Sequence, residues 1–332
     1  MNSGVRDPSL VPMSDSSRVG EARRTATQLA ARLGFDETDQ GKAALIASEL
    51  ASNLIKHARD GELIVQSICR GDQVGLELIS LDRGPGISNP AQALRDGHST
   101  AGTAGAGLGA VRRMSDEFDL YSTREKGTAL VSRFWQKPRV SQTCEYAVVS
   151  RPYPGEVVCG DGWCVLPRGP QTLVMVVDGL GHGLLAAEAA QTAVRVLQRD
   201  PDRSPLEIMH ALHAALRSTR GAAVAVARIS NDQQTLAFAG VGNIAGHIFA
   251  GTERRNLVSY NGTVGHEMRK VQEFQHPWSS RSKLLLHSDG ISTSWSLDQY
   301  PGLLHRHPAL LAGVLSRDHQ RGRDDATVLV VQ

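Results

Sequence analysis

No apolar run among the 332 residues approaches the roughly 20 that a membrane-crossing helix needs. The polar opening, with Pro8 and Pro12, lacks the apolar core of a secretory signal. Excess charge of one sign is also missing. The chain has 36 Lys and Arg against 34 Asp and Glu, a formal +2, which gives no global electrostatic case for nucleic acid or an anionic membrane. Cysteine is scarce: Cys69, Cys144, Cys159 and Cys164 form no C-x-x-C pair, and each lies in or beside an apolar stretch. Small, reduced, buried side chains are expected there, not a disulfide framework or a zinc site. No G-x-x-x-x-G-K-[ST] occurs, which removes a P-loop. These absences predict a cytoplasmic protein with neither nucleic acid nor membrane as partner.

What is present is an ordinary globular balance, 41% hydrophobic and 21% charged. At about 150 residues per domain, the length favours two domains over one. Glycine is plentiful at 33 residues, which directs attention to glycine-rich loops.

Residues 1–14 read as a flexible arm. In residues 17–33, Val19, Ala22, Ala26, Leu29 and Leu33 step by three and four, predicting an amphipathic helix that Gly34 stops. A longer helix is expected over 39–57, ending at the Asp60-Gly61 turn. Strands over 62–69 and 74–81 flank the Gly71-Asp72 turn. Residues 82–109 are rich in Gly, Ser, Thr, Asn and Pro, and too long for an ordinary connection. A short helix over 108–116 and strands over 118–123 and 129–135 complete a first domain, residues 15–137. Residues 138–142 read as a linker. In residues 143–332, strands are expected at 146–150, 157–159, 172–177, 222–229, 235–239, 245–249, 283–287 and 326–331. Helices are expected at 184–198, 205–218 and 308–315. Strands in runs with helices in blocks predict α+β architecture, not βαβ alternation.

On the second helix Glu49 and Asn53 are four apart and share a face. Alone, that stripe reads as a solvated polar face. Two further features bear on it. Asp82-Arg83-Gly84-Pro85-Gly86 follows directly after a strand, and Gly105-Ala106-Gly107-Leu108-Gly109 runs into a helix. Glycines at a helix N-terminus let backbone N–H groups approach phosphate oxygens, and the helix dipole favours the anion. A dinucleotide fingerprint would need a strand just before that loop, but residues 92–100 are polar loop, so the Rossmann reading fails. In this order, with Gly127-Thr128 following, the set resembles the N, G1 and G2 boxes of the GHKL ATPases. The resemblance implies a Bergerat-type α/β sandwich that binds ATP with Mg2+. By it, Asn53 would hold Mg2+, Asp82 would accept the adenine amino group, and Gly84 and Gly86 would shape the base pocket. Gly105, Gly107, Leu108 and Gly109 would cover the phosphates, Thr128 would support adenine, and Lys56 would reach a phosphate. Glu49 would be the general base. The short domain, the stretch at 48–58 and the stretch at 107–118 resemble the anti-sigma-factor serine kinases, in particular the RsbT-like switch kinases of the stressosome.

In the C-terminal half, acidic residues beside glycine recur after apolar strands: Gly160-Asp161-Gly162, Asp178-Gly179-Leu180-Gly181-His182-Gly183, Asp289-Gly290 and Asp324-Asp325. Singly, each is most often a turn. Carboxylates gathered at strand ends repel each other and persist around cations; hard oxygen ligands favour Mg2+ or Mn2+. The pattern resembles the PP2C-type phosphatases, closest to the SpoIIE branch that includes RsbX-like enzymes, and implies an α-β-β-α sandwich. By that resemblance Asp178 bridges two Mn2+ or Mg2+ ions and acts as the catalytic centre, the Gly179 carbonyl assists, and Asp161, Asp289 and Asp324 complete the ligand shell. Asp325 matches a further position. His182 reads as structural, and the phosphate-binding arginine of eukaryotic relatives has no clear counterpart.

The combined expectation is a protein-serine/threonine kinase fused to a metal-dependent phosphatase. Its partner would be a STAS-domain anti-anti-sigma or stressosome scaffold protein, with a sigma factor or a downstream phosphatase as further candidates. The alternative is an ATP-sensing or sigma-factor-binding GHKL module that controls a phosphatase without transferring phosphate.

Overall fold

The computed structural model describes residues 8–71, 73–94, 107–136, 144–251 and 253–332. It is α+β and divides into two compact units. The first comprises residues 1–141 together with 296–314, and the second residues 142–295 with 315–332. Among the described residues no helix is long and apolar enough to cross a membrane. All four cysteines are free, and Cys144, Cys159 and Cys164 are buried.

In chain order the first unit contains β1 (Ser9–Pro12), α1 (Ser17–Arg32), α2 (Glu37–His57), β2 (Glu62–Arg70), β3 (Gln73–Leu81), α3 (Pro90–Ala93), α4 (Leu108–Met114), β4 (Glu117–Thr123) and β5 (Gly127–Trp135). The strands form one antiparallel sheet in the order β1-β2-β3-β5-β4. Ser9–Pro12, read from sequence as part of an arm, is its edge strand, paired with Glu62–Val65. The Asp36 side chain caps α2 by accepting from the Asp39 N–H at 2.8 Å. The helices lay Ala26, Leu29, Ile46, Leu50, Leu54 and Val111 against one face of the sheet, on Leu63, Val65, Leu76, Leu78, Leu130 and Phe134.

The opposite sheet face is also buried, and it is charged. Glu77 there accepts from Gln66 Nε2 at 2.6 Å and from Arg133 Nε, and Arg133 is fully buried. Glu117 accepts from Arg70 at 2.6 and 3.1 Å and from Trp135 Nε1 at 3.1 Å. Alternation in β2, β3 and β5 would put these residues toward water, yet the segment 296–314 packs on this side of the unit. Gly313 sits so close that a Cβ on it would lie 3.0 Å from Leu81 Cδ2. The Lys126 ammonium donates to the Gln299 carbonyl at 2.9 Å, and the His307 N–H donates to Asp119 at 2.9 Å.

The second unit contains β6 (Tyr146–Arg151), β7 (Asp161–Arg168), β8 (Gln171–Gly179), α5 (Leu184–Arg199), α6 (Pro205–Ala215), β9 (Ala222–Ser230), β10 (Thr235–Val241), β11 (Ala245–Ala250), β12 (Glu253–Leu257), β13 (Phe274–Pro277), β14 (Ser282–His287) and β15 (Ala326–Val331). The helix α7 (Pro308–His319) precedes β15. Two five-stranded antiparallel sheets, β13-β10-β9-β8-β7 and β12-β11-β14-β15-β6, face each other across Val148, Val174, Val176, Phe238, Ile248, Leu286 and Leu329. The helices α5 and α6 cover the outer face of the first of these sheets with Ala189, Ala193, Leu197, Met209 and Leu212. α6 begins with a capping box of Ser204 and Glu207. The strand expected at 157–159 lies instead at Asp161–Arg168.

Candidate functional site

The helix α2 presents Glu49 and Asn53 one turn apart, both half-buried. Glu49 has no hydrogen-bond partner among the described residues, and the buried Asn53 amide nitrogen is likewise unpartnered. Lys56 is exposed one turn nearer the C-terminus of the helix. At that end the chain meets the end of β3: the Arg83 N–H donates to the Arg59 carbonyl at 2.8 Å. Asp82 is 8% exposed, and its carboxylate accepts from the Gly84 N–H at 2.6 Å. A carboxylate has acceptor capacity beyond one such bond.

Close backbone packing explains the glycines around Asp82. Gly127 has φ +80°, and a Cβ on it would lie 1.9 Å from the Asp82 carbonyl oxygen. Gly86, at φ +77°, would meet the Thr123 carbonyl at 2.3 Å. The Ile87 N–H donates to Ser122 Oγ at 2.7 Å, and Ser122 Oγ lies 3.0 Å from Thr128 Oγ1. Asp82, Gly84, Gly86 and Thr128 thus converge with Ser122 and Thr123. The Thr123 hydroxyl is buried and unpartnered. Reading strands alone gave no sign of Ser122 or Thr123, which close the hairpin over the Gly84–Gly86 turn. Gly107 is the residue before α4, with Leu108 and Gly109 in its first turn. Gly105 lies outside the described residues.

In the second unit, β7 and β8 pair so that Asp161 stands directly opposite Asp178. Like charges in that relation repel. Burial pushes the Asp161 carboxyl above the usual carboxylate range, opposed by a hydrogen bond from Ser288 and reinforced by Asp325 and Asp324. Asp178 is raised by burial and then by Asp161, Asp289, Asp324 and Asp325. Asp289 is raised by burial and by Asp324, against Arg321 and a hydrogen bond from Asn243. Asp325, 2% exposed, is raised mainly by burial, and its Oδ1 accepts from the Tyr153 N–H at 2.8 Å. Five aspartates therefore share one electrostatic neighbourhood.

Glycines again set the spacing. A Cβ on Gly179 would lie 2.2 Å from the Ala186 carbonyl oxygen, and one on Gly290 would lie 2.0 Å from that of Asp325. Ser288 Oγ donates to Asp161 Oδ2 at 2.7 Å, which leaves the buried Oδ1 of Asp161 without a partner. That orphaned oxygen, in an all-oxygen donor set of raised carboxyls, fits hard divalent cations. As they stand, no three of these carboxylates have oxygens all within 4.8 Å of one another. His182 bonds Glu156 at 2.9 Å and stacks on Tyr153 with ring centroids 4.2 Å apart. Asn243 was not singled out from sequence, although Gly242-Asn243 follows β10 in the same strand-then-turn pattern as the aspartates.

Comparison with known proteins bears on both sites. Residues 13–134 match the histidine kinase-like ATPase domain family. Over 131 residues the chain is 34% identical to the serine/threonine-protein kinase RsbT of Bacillus subtilis (strain 168), covering 40% of this chain and 98% of that protein. The chain belongs to the RsbT family. Residues 168–332 match the Stage II sporulation protein E (SpoIIE) family. The phosphoserine phosphatase RsbX of the same organism is 22% identical over 139 residues, 42% of this chain and 70% of that protein. A chain from a solved structure of the bacterial stressosome superposes with TM-score 0.53 and 27% identity, over 57% of this chain and 99% of that one. RsbX in complex with magnesium shares the fold at TM-score 0.50 and 19% identity, over 57% of this chain and 94% of that one. An ATPase domain with homology to RsbT is thus joined to a SpoIIE/PP2C-type domain with homology to RsbX, which implies ATP with Mg2+ and divalent metal.

Proposed function

We propose that the chain is a bifunctional cytoplasmic regulator of a bacterial partner-switching or stressosome pathway. It phosphorylates a STAS-domain protein on Ser or Thr and removes the same phosphate. The observation that carries this reading is the half-buried, unpartnered carboxylate of Glu49 one turn from Asn53. A module that only binds nucleotide has no use for a base at that point.

In the first site Asn53 holds the Mg2+ that arrives with ATP, and Asp82 accepts the adenine amino group beside Gly84, Gly86 and Thr128. The loop that includes Gly105, Gly107, Leu108 and Gly109 covers the phosphates, with Lys56 within reach. Glu49 takes the proton of the substrate hydroxyl as that oxygen attacks the γ-phosphorus, while the bond from the phosphorus to the β–γ bridging oxygen breaks and ADP leaves. In the second site Asp161, Asp178, Asp289, Asp324 and the Gly179 carbonyl hold two Mn2+ or Mg2+ ions. Such ions supply water activation and neutralise phosphoryl charge. Ser288 and Asn243 fix the orientation of Asp161 and Asp289, leaving the remaining carboxylate oxygens for cations. The test is incubation with γ-labelled ATP and purified STAS-domain proteins: label is transferred in Mg2+ and lost on adding Mn2+. Nucleotide binding without transfer to any of them would favour the sensing module.

A further inference from the structure

The acidic site has no assigned group to hold the anion it would act on. A phosphate dianion approaching five aspartates meets repulsion, so a positive side chain at the rim would have a clear use. The strand register identifies one. β8 and β9 pair with Asp178 opposite Ala223 and Gly179 opposite Ala222. The pairing continues one step further, since the Leu180 N–H donates to the Gly221 carbonyl at 3.0 Å. The next position sets Arg220 across from Gly181, in the loop that leaves Asp178.

Gly181 has φ +86°, and a Cβ on it would lie 2.9 Å from Arg220 Nη1. The guanidinium therefore rests against bare backbone of the loop between Asp178 and α5. Arg220 is exposed and has no hydrogen-bond or ion-pair partner among the described residues. Arg321, the other arginine acting at this end, lies on the Asp289 side, where its charge opposes the rise of that carboxyl. An uncommitted planar fork suits two phosphate oxygens at once, which a lysine cannot match.

We infer that Arg220 grips the phosphoryl group of a phosphoserine or phosphothreonine protein at this site. The inference rests on the phosphatase reading above and names the residue that binds the substrate anion. The glycine at 181 then has a second use beyond its backbone angle, because any side chain there would displace the guanidinium.

The experiment uses the full chain loaded with Mn2+ and inorganic phosphate as the probe. Calorimetric phosphate titration and kinetics on p-nitrophenyl phosphate are run on Arg220→Ala, Arg220→Lys, Arg321→Ala and Arg217→Ala, the last an exposed arginine whose charge bears on His213. Expected for Arg220→Ala is a loss of phosphate affinity of about tenfold or more, with KM rising more than kcat falls. Arg220→Lys recovers part of the loss, and Arg217→Ala changes neither readout. Mn2+ affinity, titrated in the same samples, stays at the unmutated value. Unchanged phosphate affinity in Arg220→Ala, or a loss confined to Arg321→Ala, would overturn the assignment. So would a fall in Mn2+ affinity as large as the fall in phosphate affinity, since Arg220 would then act by shaping the acidic cluster. An unmutated protein that neither binds phosphate nor hydrolyses the ester would instead overturn the phosphatase reading itself.

Discussion

His307 Nε2 lies 3.3 Å from Glu117 Oε2, although 190 positions separate the two residues in the chain. Both belong to the first unit, and the contact joins the segment 296–314 to the charged face of its sheet. Burial alone would raise the Glu117 carboxyl; the His307 contact, Arg133 and Arg70 outweigh it and hold the group well below the usual range. Removing one member of such a buried network leaves the others uncompensated.

Glu117→Gln is therefore expected to destabilise the first unit by about 3 kcal/mol or more. His307→Ala should cost less, because Arg70 and Arg133 still hold the carboxylate. Urea unfolding followed by amide hydrogen exchange of β2, β3 and β5, which belong to this unit, measures both. A Glu117→Gln midpoint equal to that of the unmutated chain would show that the network contributes nothing net.

The two residues on α2 should separate binding from transfer. Asn53→Ala is expected to abolish Mg·ATP binding in calorimetry. Glu49→Ala should bind nucleotide normally and lose phosphoryl transfer by at least about a hundredfold. Equal losses of nucleotide affinity would contradict the division of roles.

In the second unit, Asp178→Asn should stop the Mn2+-dependent loss of phosphate from a labelled substrate while leaving its phosphorylation intact. A time course with and without Mn2+ gives the answer. Removal at the unmutated rate would show that Asp178 is not central.

Acid should remove a stabilising contribution that His247 makes to the second unit. Burial first, and then Arg254, lower its imidazole to about 4, against a partly opposing hydrogen bond to Asn256. The folded state thus prefers the neutral ring. Its contribution is complete above the unfolded value of 6.5 and is lost as pH falls from there toward about 4. Fully buried His287 is lowered to about 4 in the same direction, mainly by burial. In the unfolding free energy read from urea titrations, each imidazole contributes a fall of up to about 1.4 kcal/mol per pH unit between about pH 7 and about pH 5, set against the opposite slope of the raised Asp161 and Asp178 carboxyls. His247→Gln should flatten that slope, and an unchanged slope would remove His247 as its source.

Much of this architecture was legible in the residues. The step pattern of Ala22, Ala26 and Leu29 marked α1, and the β-branched runs marked β8, β9 and β15. What escaped was fixed by tertiary partners. β7 contains Gly162 and Pro167 and reads as a turn, but it is an edge strand, where proline is tolerated. β12, Glu-Arg-Arg-Asn-Leu, is too polar to signal a strand and also lies at an edge. Gln66, Glu77 and Arg133 carry the alternation of a wet face, and only the folded chain shows that face to be buried. At the sites, Asp82, Asp161 and Asp178 were visible because glycine flanks them at strand ends. Arg220 was not, since its place depends on the register between two strands.

The first unit takes a piece of its sheet covering from residues 296–314. During synthesis that piece emerges long after β5, by roughly 10–35 s at about 5–20 residues per second. Until then Glu117 lacks its contact with His307, and Leu81 lacks the close approach of Gly313. A chain stopped before residue 314 therefore leaves this face of the sheet without the segment that packs on it.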